Sequence, residues 1–275
     1  MTENASSMAF IDRTSASLAQ LFLKDFAIIE KFQLADPRKF VFGSVLAPWP
    51  NRLEDGSYRH SGVQFQFGGL DAQNNKNHGL LLEQEFEIRS QTRQTLSLGY
   101  RFGSDSDYPF DIDLEISYSL SGDSLLVEAT AENHGSEAPF AIGFHPYFLT
   151  GPVFELQADF THRGVSNERM LPVAIDEIPG LQLNQDSAEL DSLDHCFMGA
   201  SEVRVVRPEG SFVVRALENL PYFMLYRPSE EFFPSGSAIA IEPMSAPANV
   251  FRNEIGSVLM GPGEKKRFAF EVRKL

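Results

Sequence analysis

The chain has 275 residues, of which 43% are hydrophobic and 22% are charged, an ordinary composition for a globular protein with a sizeable core. The formal net charge of −15 argues against nucleic acid and anionic membranes as partners, because both attract basic surfaces. The single cysteine, Cys196, cannot form an internal disulfide, and the first residues lack the pattern of a signal peptide, so we expect a cytoplasmic protein.

The N-terminal stretch SLAQLFLKDFAIIEKF (17–32) has two interpretations. Its apolar residues fall near helical spacing, but the stretch can also form two short strands around Lys24 and Asp25. Beyond residue 55 apolar and polar residues alternate with period two, which predicts half-buried strands. The alternation is found in VQFQF (63–67), TLSLGYRF (95–102), DIDLEISYSL (111–120) and RFAFEV (267–272).

Turn residues predict two hairpins and leave the chain undivided. SGD (121–123) precedes the segment LLVEATAEN (125–133), and RPEG (207–210) separates VRVV (203–206) from SFVVRA (211–216). Loops rich in Pro, Asn and Gly are expected at 47–56, 70–79, 103–109, 176–195 and 228–249. Since no repeat, low-complexity tract or linker interrupts the pattern, the sequence predicts an all-β fold. We expect one large antiparallel β-sandwich, a single domain spanning residues 1–275.

Several kinds of chemistry lack their sequence signature. The six histidines form no HxH, HxxxH or HExxH pair, so we expect no metal. The motifs GxSxG, GxGxxG and GxxxxGK[ST] are absent, so neither a serine hydrolase nor a nucleotide cofactor is expected. His195 and Cys196 are adjacent, and adjacent strand residues point to opposite faces, so we interpret Cys196 as an inert cysteine rather than a nucleophile.

Four stretches concentrate polar side chains. They are APWPNRLEDG (47–56) with Asn51 and Arg52, NNKNHGLL (74–81) with His78, AIGFHPYF (141–148) with His145, and IAIEPMSAPAN (239–249) with Glu242. In the last two, an apolar strand leads to one ionisable residue and then to a proline, which tends to end a strand. Ionisable groups at strand ends are well placed to line a cleft.

Each of these residues also has an ordinary interpretation. A single histidine at a strand end is usually satisfied or solvated, and a glutamate before proline is usually a turn residue. Arg52 could pair with Glu54 or Asp55 in a surface contact of little energetic value. Only the joint occurrence of these residues predicts a site.

Six motifs, taken in order, resemble the aldose 1-epimerase (galactose mutarotase) family. They are PWPNR, NHG, GFHPYF, LDHCF (193–197), EPMSAPAN and GPGE (261–264), and the resemblance runs from about residue 44 to the C-terminus. HPYF and EP are the most specific of them. The resemblance implies the family's galactose mutarotase-like supersandwich, with a sugar cleft on one face of the larger sheet. It also favours strands over a helix in the N-terminal stretch.

The resemblance implies roles for individual residues. His145 corresponds to the general acid and Glu242 to the general base. Arg52 and His78 correspond to groups that orient the substrate, and Asp194 to a ligand of sugar hydroxyls. Asn51, which precedes Arg52, is a further candidate for substrate binding.

The chain also departs from the family pattern. Where members often have a basic residue and a tryptophan after HG, this chain reads HGLLLEQEF, with Leu82 and Phe86. After HPYF it continues with LTGP instead of the familiar asparagine-containing sequence. These differences affect the walls of the implied cleft, and hence the preferred sugar, but leave both implied catalytic residues in place.

The expected function is the interconversion of the α and β anomers of a free aldohexose, without a cofactor. A sugar phosphate would need several cations, whereas the motif stretches offer Arg52 and Lys76 with little else. The partner expected is therefore a small monosaccharide. Alternatives are a non-catalytic carbohydrate-binding protein, an epimerase of a sugar phosphate, and a glycosidase in which Asp194 supplies a second carboxylate beside Glu242.

Overall fold

Strands make up most of the structure, a computed structural model that describes residues 6–30, 41–103, 105–228, 238–253, 255 and 258–275. The helical segments in these ranges are a short 3-10 helix, Ala188–Ser192, and a single-turn α-helix, α1, Val250–Asn253. No helix in the described ranges is long and apolar enough to cross a membrane.

The larger of two main sheets has nine antiparallel strands. Numbered along the chain and given in spatial order, they are β19 (Leu181–Asn184), β16 (Glu155–Ala158), β21 (Glu202–Arg207), β22 (Gly210–Glu218), β26 (Lys265–Lys274), β12 (Ser124–Asn133), β11 (Ile112–Ser121), β10 (Thr95–Arg101) and β9 (Glu87–Gln91). In β11 the side chains of Ile112, Leu114 and Ile116 are fully buried, while the residues between them are half-buried. This alternation is the one that the sequence pattern predicts.

The second sheet has eight strands and carries the candidate site. In spatial order they are β18 (Pro172–Glu177), β17 (His162–Ser166), β20 (Asp194–Met198), β23 (Tyr222–Tyr226), β24 (Ala238–Met244), β14 (Gly143–Phe144) and β4 (Val45–Leu46), with β15 (Tyr147–Leu149) also paired to β24. The strand β24 is buried along its whole length.

Smaller sheets complete the fold. They are the three-stranded sheet β1 (Met8–Asp12), β2 (Ser17–Leu23) and β3 (Phe26–Ile29), and the pairs β5 (Arg52–Glu54) with β8 (Asn75–Asn77), β6 (Ser57–His60) with β7 (Val63–Gln66), and β13 (Ala138–Pro139) with β25 (Leu259–Met260). The pair β5–β8, called the β5–β8 ribbon below, matters most for the site.

The core lies between the two main sheets. Phe144 and Phe148 of the eight-stranded sheet contact Phe270 and Phe212 of the nine-stranded sheet, with ring centroids 4.9 and 5.5 Å apart. All four rings are almost completely buried. The predicted all-β sandwich is confirmed, because burial of these inner faces is what holds two sheets together.

The predicted hairpins are also confirmed. Strand β11 pairs with β12 through the turn at Gly122, and β21 pairs with β22 through the RPEG turn. The ambiguous N-terminal stretch forms strands, since β2 and β3 pair around Lys24 and Asp25. Both turn residues adopt positive φ, as a tight hairpin of this kind requires.

Several predicted loops contain strands. The ranges 47–56 and 70–79 contribute β5 and β8, the range 176–195 contains β19, and the range 228–249 contains β24. Strands of three residues are too short to show a period, and a strand buried on both faces shows no alternation. The segment 229–237 lies outside the described residues.

Candidate functional site

Glu242 lies inside a strand rather than at its end. Strand β24 continues through Pro243 to Met244, so the expectation that this proline ends the strand is wrong. The physical reason is a break in the neighbouring chain between β14 and β15. Ile241 donates its backbone N–H to the carbonyl of Pro146 at this break. The backbone of residue 243, two positions further along the strand, is directed to the same side, away from β23. The N–H that Pro243 lacks is therefore not needed by β23.

His145 occupies that same break, where its backbone is held on both sides. Its N–H donates to the carbonyl of Ser44, and its carbonyl accepts from the N–H of Gly43, both at 3.0 Å. The predicted position at a strand end is confirmed, because β14 stops at Phe144 and β15 begins at Tyr147. Pro146 supplies no N–H there, which suits an interruption of the ladder.

The two residues meet on one face of the eight-stranded sheet. His145 Nε2 lies 3.3 Å from Glu242 Oε1, and their side chains are only 5% and 2% exposed. The imidazole stacks on the ring of Tyr147, with centroids 4.9 Å apart, and meets the ring of His78 edge-on at 5.5 Å. The resemblance implied a site on the larger sheet, but the pair lies on the smaller of the two main sheets.

Burial moves the two pKa values in opposite directions. It lowers the pKa of His145 to about 4 and raises that of Glu242 well above its ordinary value, because both charged forms lose their hydration. The negative charge of Asp194 raises the pKa of Glu242 further, and the positive charge of Arg52 opposes this. When the pair holds one proton, both shifts therefore favour the carboxyl group of Glu242 over the imidazole of His145 as its site.

Arg52 and His78 come from the β5–β8 ribbon. Arg52 pairs in register with Asn77, and His78 follows directly with a φ of +63°. The pKa of His78 is lowered by its burial first, and then by the charges of His145 and Arg52. The structure therefore brings His78 into contact with His145, with Arg52 near enough for its charge to reach His78.

Arg52 is held by Asn51 and faces Asp71. The side-chain oxygen of Asn51 accepts from the N–H and from the guanidinium of Arg52, at 2.8 and 3.3 Å. Asp71 Oδ2 lies 4.0 Å from Arg52 Nε. The ordinary alternative, pairing of Arg52 with Glu54 or Asp55, is not what the structure shows, because those carboxylates bind other arginines.

Asp194 begins β20, two strands away from Glu242. Burial raises the pKa of its carboxyl, while the positive charge of Arg52 lowers it. It pairs in register with Tyr226 of β23. Burial is the main cause that raises the pKa of Tyr226, and the charge of Asp194 raises it further.

His195 and Cys196 alternate along the same strand as predicted, and burial raises the pKa of the Cys196 thiol to about 12. The thiol is therefore no nucleophile at neutral pH.

Five buried polar atoms of this site have no hydrogen-bond partner in the described part of the chain. They are Arg52 Nε, Asn77 Oδ1, His78 Nδ1, His145 Nδ1 and Glu242 Oε2. Buried polar atoms are nearly always paired, so several unpaired ones around one point are typical of a site for a polar ligand. No group of three or more His, Cys, Asp or Glu that could hold a metal occurs among the described residues.

Sequence reasoning did not identify all of these neighbours. Asp71 belongs to no motif, and its contact with Arg52 depends on the pairing of two three-residue strands. Asn77 and Tyr147 lie inside the motifs NHG and HPYF, so those motifs carried a signal for both. Tyr226 is brought in by the register of β23 against β20 and β24, which the sequence does not specify.

Comparison with known proteins agrees with this fold. The chain is 28% identical to the uncharacterized protein YihR of Escherichia coli K12, over 96% of this chain and 89% of that protein. It is 26% identical to YphB of the same organism, also uncharacterized, over 83% of this chain and 82% of that protein.

Solved structures share the architecture at low sequence identity. An aldose epimerase homologue from C. elegans superposes with a TM-score of 0.85 at 17% identity, covering 98% of this chain and 96% of that one. Galactose 1-epimerase from Lactobacillus acidophilus superposes with a TM-score of 0.79 at 18% identity, covering 99% and 92%. The family whose description is aldose 1-epimerase matches residues 19–273. The chain therefore belongs to the aldose 1-epimerase family.

Proposed function

We propose that the protein interconverts the α and β anomers of a free aldohexose, with His145 and Glu242 as its acid–base pair. The observation that carries the proposal is the contact of these two groups at 3.3 Å, each with a second polar atom left unpaired within the described chain. Interconversion of anomers depends on proton transfer. Two proton-transferring groups surrounded by unpaired donors and acceptors meet that requirement.

Ring opening needs one proton delivered to the ring oxygen and one removed from the hydroxyl on C1. The open aldehyde then rotates about the C1–C2 bond and closes on the other face, with the two proton transfers reversed. No net proton is gained or lost, which matches a pair that shares one proton. The same two groups therefore serve both directions of the reaction.

We assign His145 to the ring oxygen and Glu242 to the C1 hydroxyl. For this assignment the shared proton must first move from Glu242 to His145 across their contact. The positive charge of Arg52 already lowers the pKa of Glu242 against the effect of burial. Sugar hydroxyls that donate to the carboxylate would lower it further, because hydrogen bonds to the charged form favour that form.

The charges around the pair favour a neutral sugar. Asp194 and Glu242 both lie on the face that would meet the substrate, and Arg52 is the cation whose charge reaches both of them. An anionic substituent on the sugar would meet two carboxyl groups and one guanidinium. Aspartate and arginine together suit hydroxyl groups, which both donate and accept.

Polarimetry on freshly dissolved α-D-glucose and α-D-galactose tests the proposal. Galactose is included because it is the sugar named for one structural neighbour. The wild type should accelerate relaxation of the optical rotation, and His145→Asn and Glu242→Gln should each lose about 10²–10⁴-fold in kcat. Thermal denaturation of both variants provides the control for folding.

Two results would contradict the proposal. If the variants relax the rotation as fast as the folded wild type, the pair has no catalytic role. If calorimetry shows sugar binding while the wild type gives no acceleration, the protein is a carbohydrate-binding protein without this activity. Faster turnover of a hexose phosphate than of the free hexose would instead assign a sugar phosphate as the substrate.

A further inference from the structure

The loop that joins β17 and β18 reaches across to the β5–β8 ribbon through Arg169. The guanidinium of Arg169 contacts five acceptors of the ribbon and its flanks. They are the carbonyl of Gln73 at 3.1 Å, Glu54 Oε1 at 3.3 Å, Asp55 Oδ1 at 2.7 Å, the carbonyl of Asn74 at 2.9 Å and Asn75 Oδ1 at 3.4 Å. In return, Asn75 Nδ2 donates to the carbonyl of Arg169 at 2.9 Å.

The loop that presents Arg169 is itself fixed. The side-chain oxygen of Asn167 accepts from the N–H groups of Arg169 and Leu171, at 2.9 and 3.1 Å. The backbone of Asn167 also pairs with the carbonyl of Leu171 at 2.9 Å. Arg169 therefore extends from a hairpin end that is fixed by its own hydrogen bonds. Because that end is fixed, the five contacts of Arg169 can hold the ribbon in place.

A second arginine contacts the same end of the ribbon. Arg252 of α1 donates to the carbonyl of Glu54 at 2.9 Å, and it pairs with the carboxylates of Glu54 and Asp55 at 3.3 and 3.2 Å. The helix α1 follows β24, the strand that carries Glu242. The carboxylates of Glu54 and Asp55 are thus each bound by both arginines, one from the β17–β18 loop and one from α1.

The contacts of Arg169 lead to Arg52 through one short turn. Asp71 Oδ1 accepts from the N–H groups of Gln73 and Asn75, and the carbonyl of Gln73 is bound by Arg169. Asp71 Oδ2 accepts from Asn77 Nδ2 at 3.0 Å and faces Arg52 Nε at 4.0 Å. The position of the Asp71 carboxylate, and with it that of Arg52, depends on this turn.

We propose that Arg169 is a positioning residue that fixes Arg52 and His78 against the acid–base pair. The proposal rests on the function proposed above. Arg169 acts on Arg52 indirectly, through the 71–75 turn and the ribbon. Glu242 lies on β24 of the eight-stranded sheet and His145 in the break between β14 and β15, so their own contact does not depend on the ribbon.

This placement predicts an effect on substrate affinity more than on turnover. In Arg169→Gln the ribbon loses its fivefold restraint, so Arg52 and His78 no longer meet the sugar in one geometry. We expect KM to rise about tenfold or more, with kcat within about threefold of wild type. Arg169→Lys should resemble Arg169→Gln, because an ammonium keeps the charge but cannot reach five acceptors arranged for a planar fork.

Hydrogen exchange on the free protein tests the restraint without any sugar. Amides of the segment 71–78 should exchange faster in Arg169→Gln than in wild type, while those of β24 stay unchanged. Arg163→Gln is the matched control, because Arg163 lies on β17 of the same hairpin and its ion pair is a largely exposed one with Asp176 at 3.6 Å. Unchanged exchange of 71–78 in Arg169→Gln would overturn the proposal, whatever the activity.

A double-mutant cycle tests the link to Arg52. If Arg169 acts through Arg52, then Arg52→Gln/Arg169→Gln should have the KM of Arg52→Gln alone, whereas independent effects would multiply. Multiplied effects, or an unchanged KM in Arg169→Gln, would overturn the positioning role. If the wild type shows no turnover, the function proposed above fails, and the cycle is measured on galactose dissociation constants by calorimetry.

Discussion

Glu242 and His145 respond oppositely to pH in the folded chain. Burial raises the pKa of Glu242 above its unfolded value near 4.5, so its stabilising contribution is present below that pH and is lost as pH rises through the folded pKa. Burial lowers the pKa of His145 from 6.5 to about 4, so its contribution is present above 6.5 and is lost as pH falls toward 4. The proposed acid–base pair therefore weakens the fold on which it is built.

Glu242→Gln should be more stable than wild type at neutral pH, and the gain should depend on pH. The amide cannot ionise, so it escapes the loss that the wild type suffers as pH rises above about 4.5. The difference in Tm between variant and wild type should therefore grow from about pH 5 to about pH 8 in calorimetric scans. A difference that stays constant or shrinks would mean that the buried carboxyl is not the group responsible.

The pH dependence of kcat/KM, which reports the free enzyme and is measured at sugar concentrations below KM, should have an unusually low acid limb. Activity is lost when the pair takes up a second proton, and the lowered pKa of His145 places this step near 4. Between about pH 7.5 and about pH 5.5 we expect less than a twofold change in polarimetric rate, after subtraction of the buffer-catalysed rate. An acid limb centred near 6.5 would indicate an exposed, ordinary histidine instead.

At the scale of elements, the motif NHG is explained by backbone geometry. Gly79 has a φ of +70°, and a Cβ there would lie 2.1 Å from the carbonyl oxygen of Ala47. Its neighbours are tied to the same region, since His78 donates to the carbonyl of Asn51 and Leu80 to that of Ala47. Glycine at this position therefore allows the end of the ribbon to pack against the PWPNR segment.

Gly79→Ala should lower the free energy of unfolding by at least about 2 kcal/mol and the Tm by about 4 °C or more, since left-handed strain adds to a backbone collision. Gly122→Ala is the matched control, because Gly122 has a φ of +45° with no atom within 4 Å of the built Cβ. That change should cost about 1 kcal/mol. Equal losses in the two variants, measured by thermal denaturation, would show that the contact with Ala47 is unimportant.

Elements differ in how far the sequence predicts them. The hairpin of β11 and β12 was predictable because its ten-residue strands alternate cleanly around a Gly-Asp turn. Strand β24 was recognisable only as an apolar run before Glu242, because burial on both faces leaves no alternation, and its continuation through Pro243 was missed. The strands β5 and β8 were missed because three residues show no period. The residues of the acid–base pair came from motifs, whereas Asp71 and Arg169 depend on contacts between distant segments.

At the scale of the whole molecule, the net charge of −15 disfavours anionic substrates. The kcat/KM for a neutral hexose should change by less than about twofold between about 20 mM and about 0.5 M NaCl, because a neutral substrate feels no long-range field. For a hexose 6-phosphate, kcat/KM should be lower and should rise with salt as repulsion is screened. A higher kcat/KM for the phosphate at low salt would contradict the preference for free sugars.

At this scale the sequence does not specify which strands pair with one another. Strand β26, at the end of the chain, pairs with β12 and β22, and the site joins residues from 52 to 242. Alternation assigns side chains to faces but does not choose partners among many similar strands. Alternation and turns predicted the sandwich and the family resemblance its supersandwich type, whereas the structure supplied the register that brings Asp194 and Tyr226 near Glu242.

A crystal structure with D-galactose bound would show whether His145 and Glu242 act on the anomeric centre. We predict that the anomeric centre lies against His145 and Glu242, with the ring oxygen near the imidazole, the C1 hydroxyl near the carboxyl group, and other hydroxyls on Arg52 and Asp194. Each of the two reacting oxygens should lie within about 3.2 Å of its partner. A sugar bound on another surface, or bound here with its C1 hydroxyl directed away from both groups, would contradict the account.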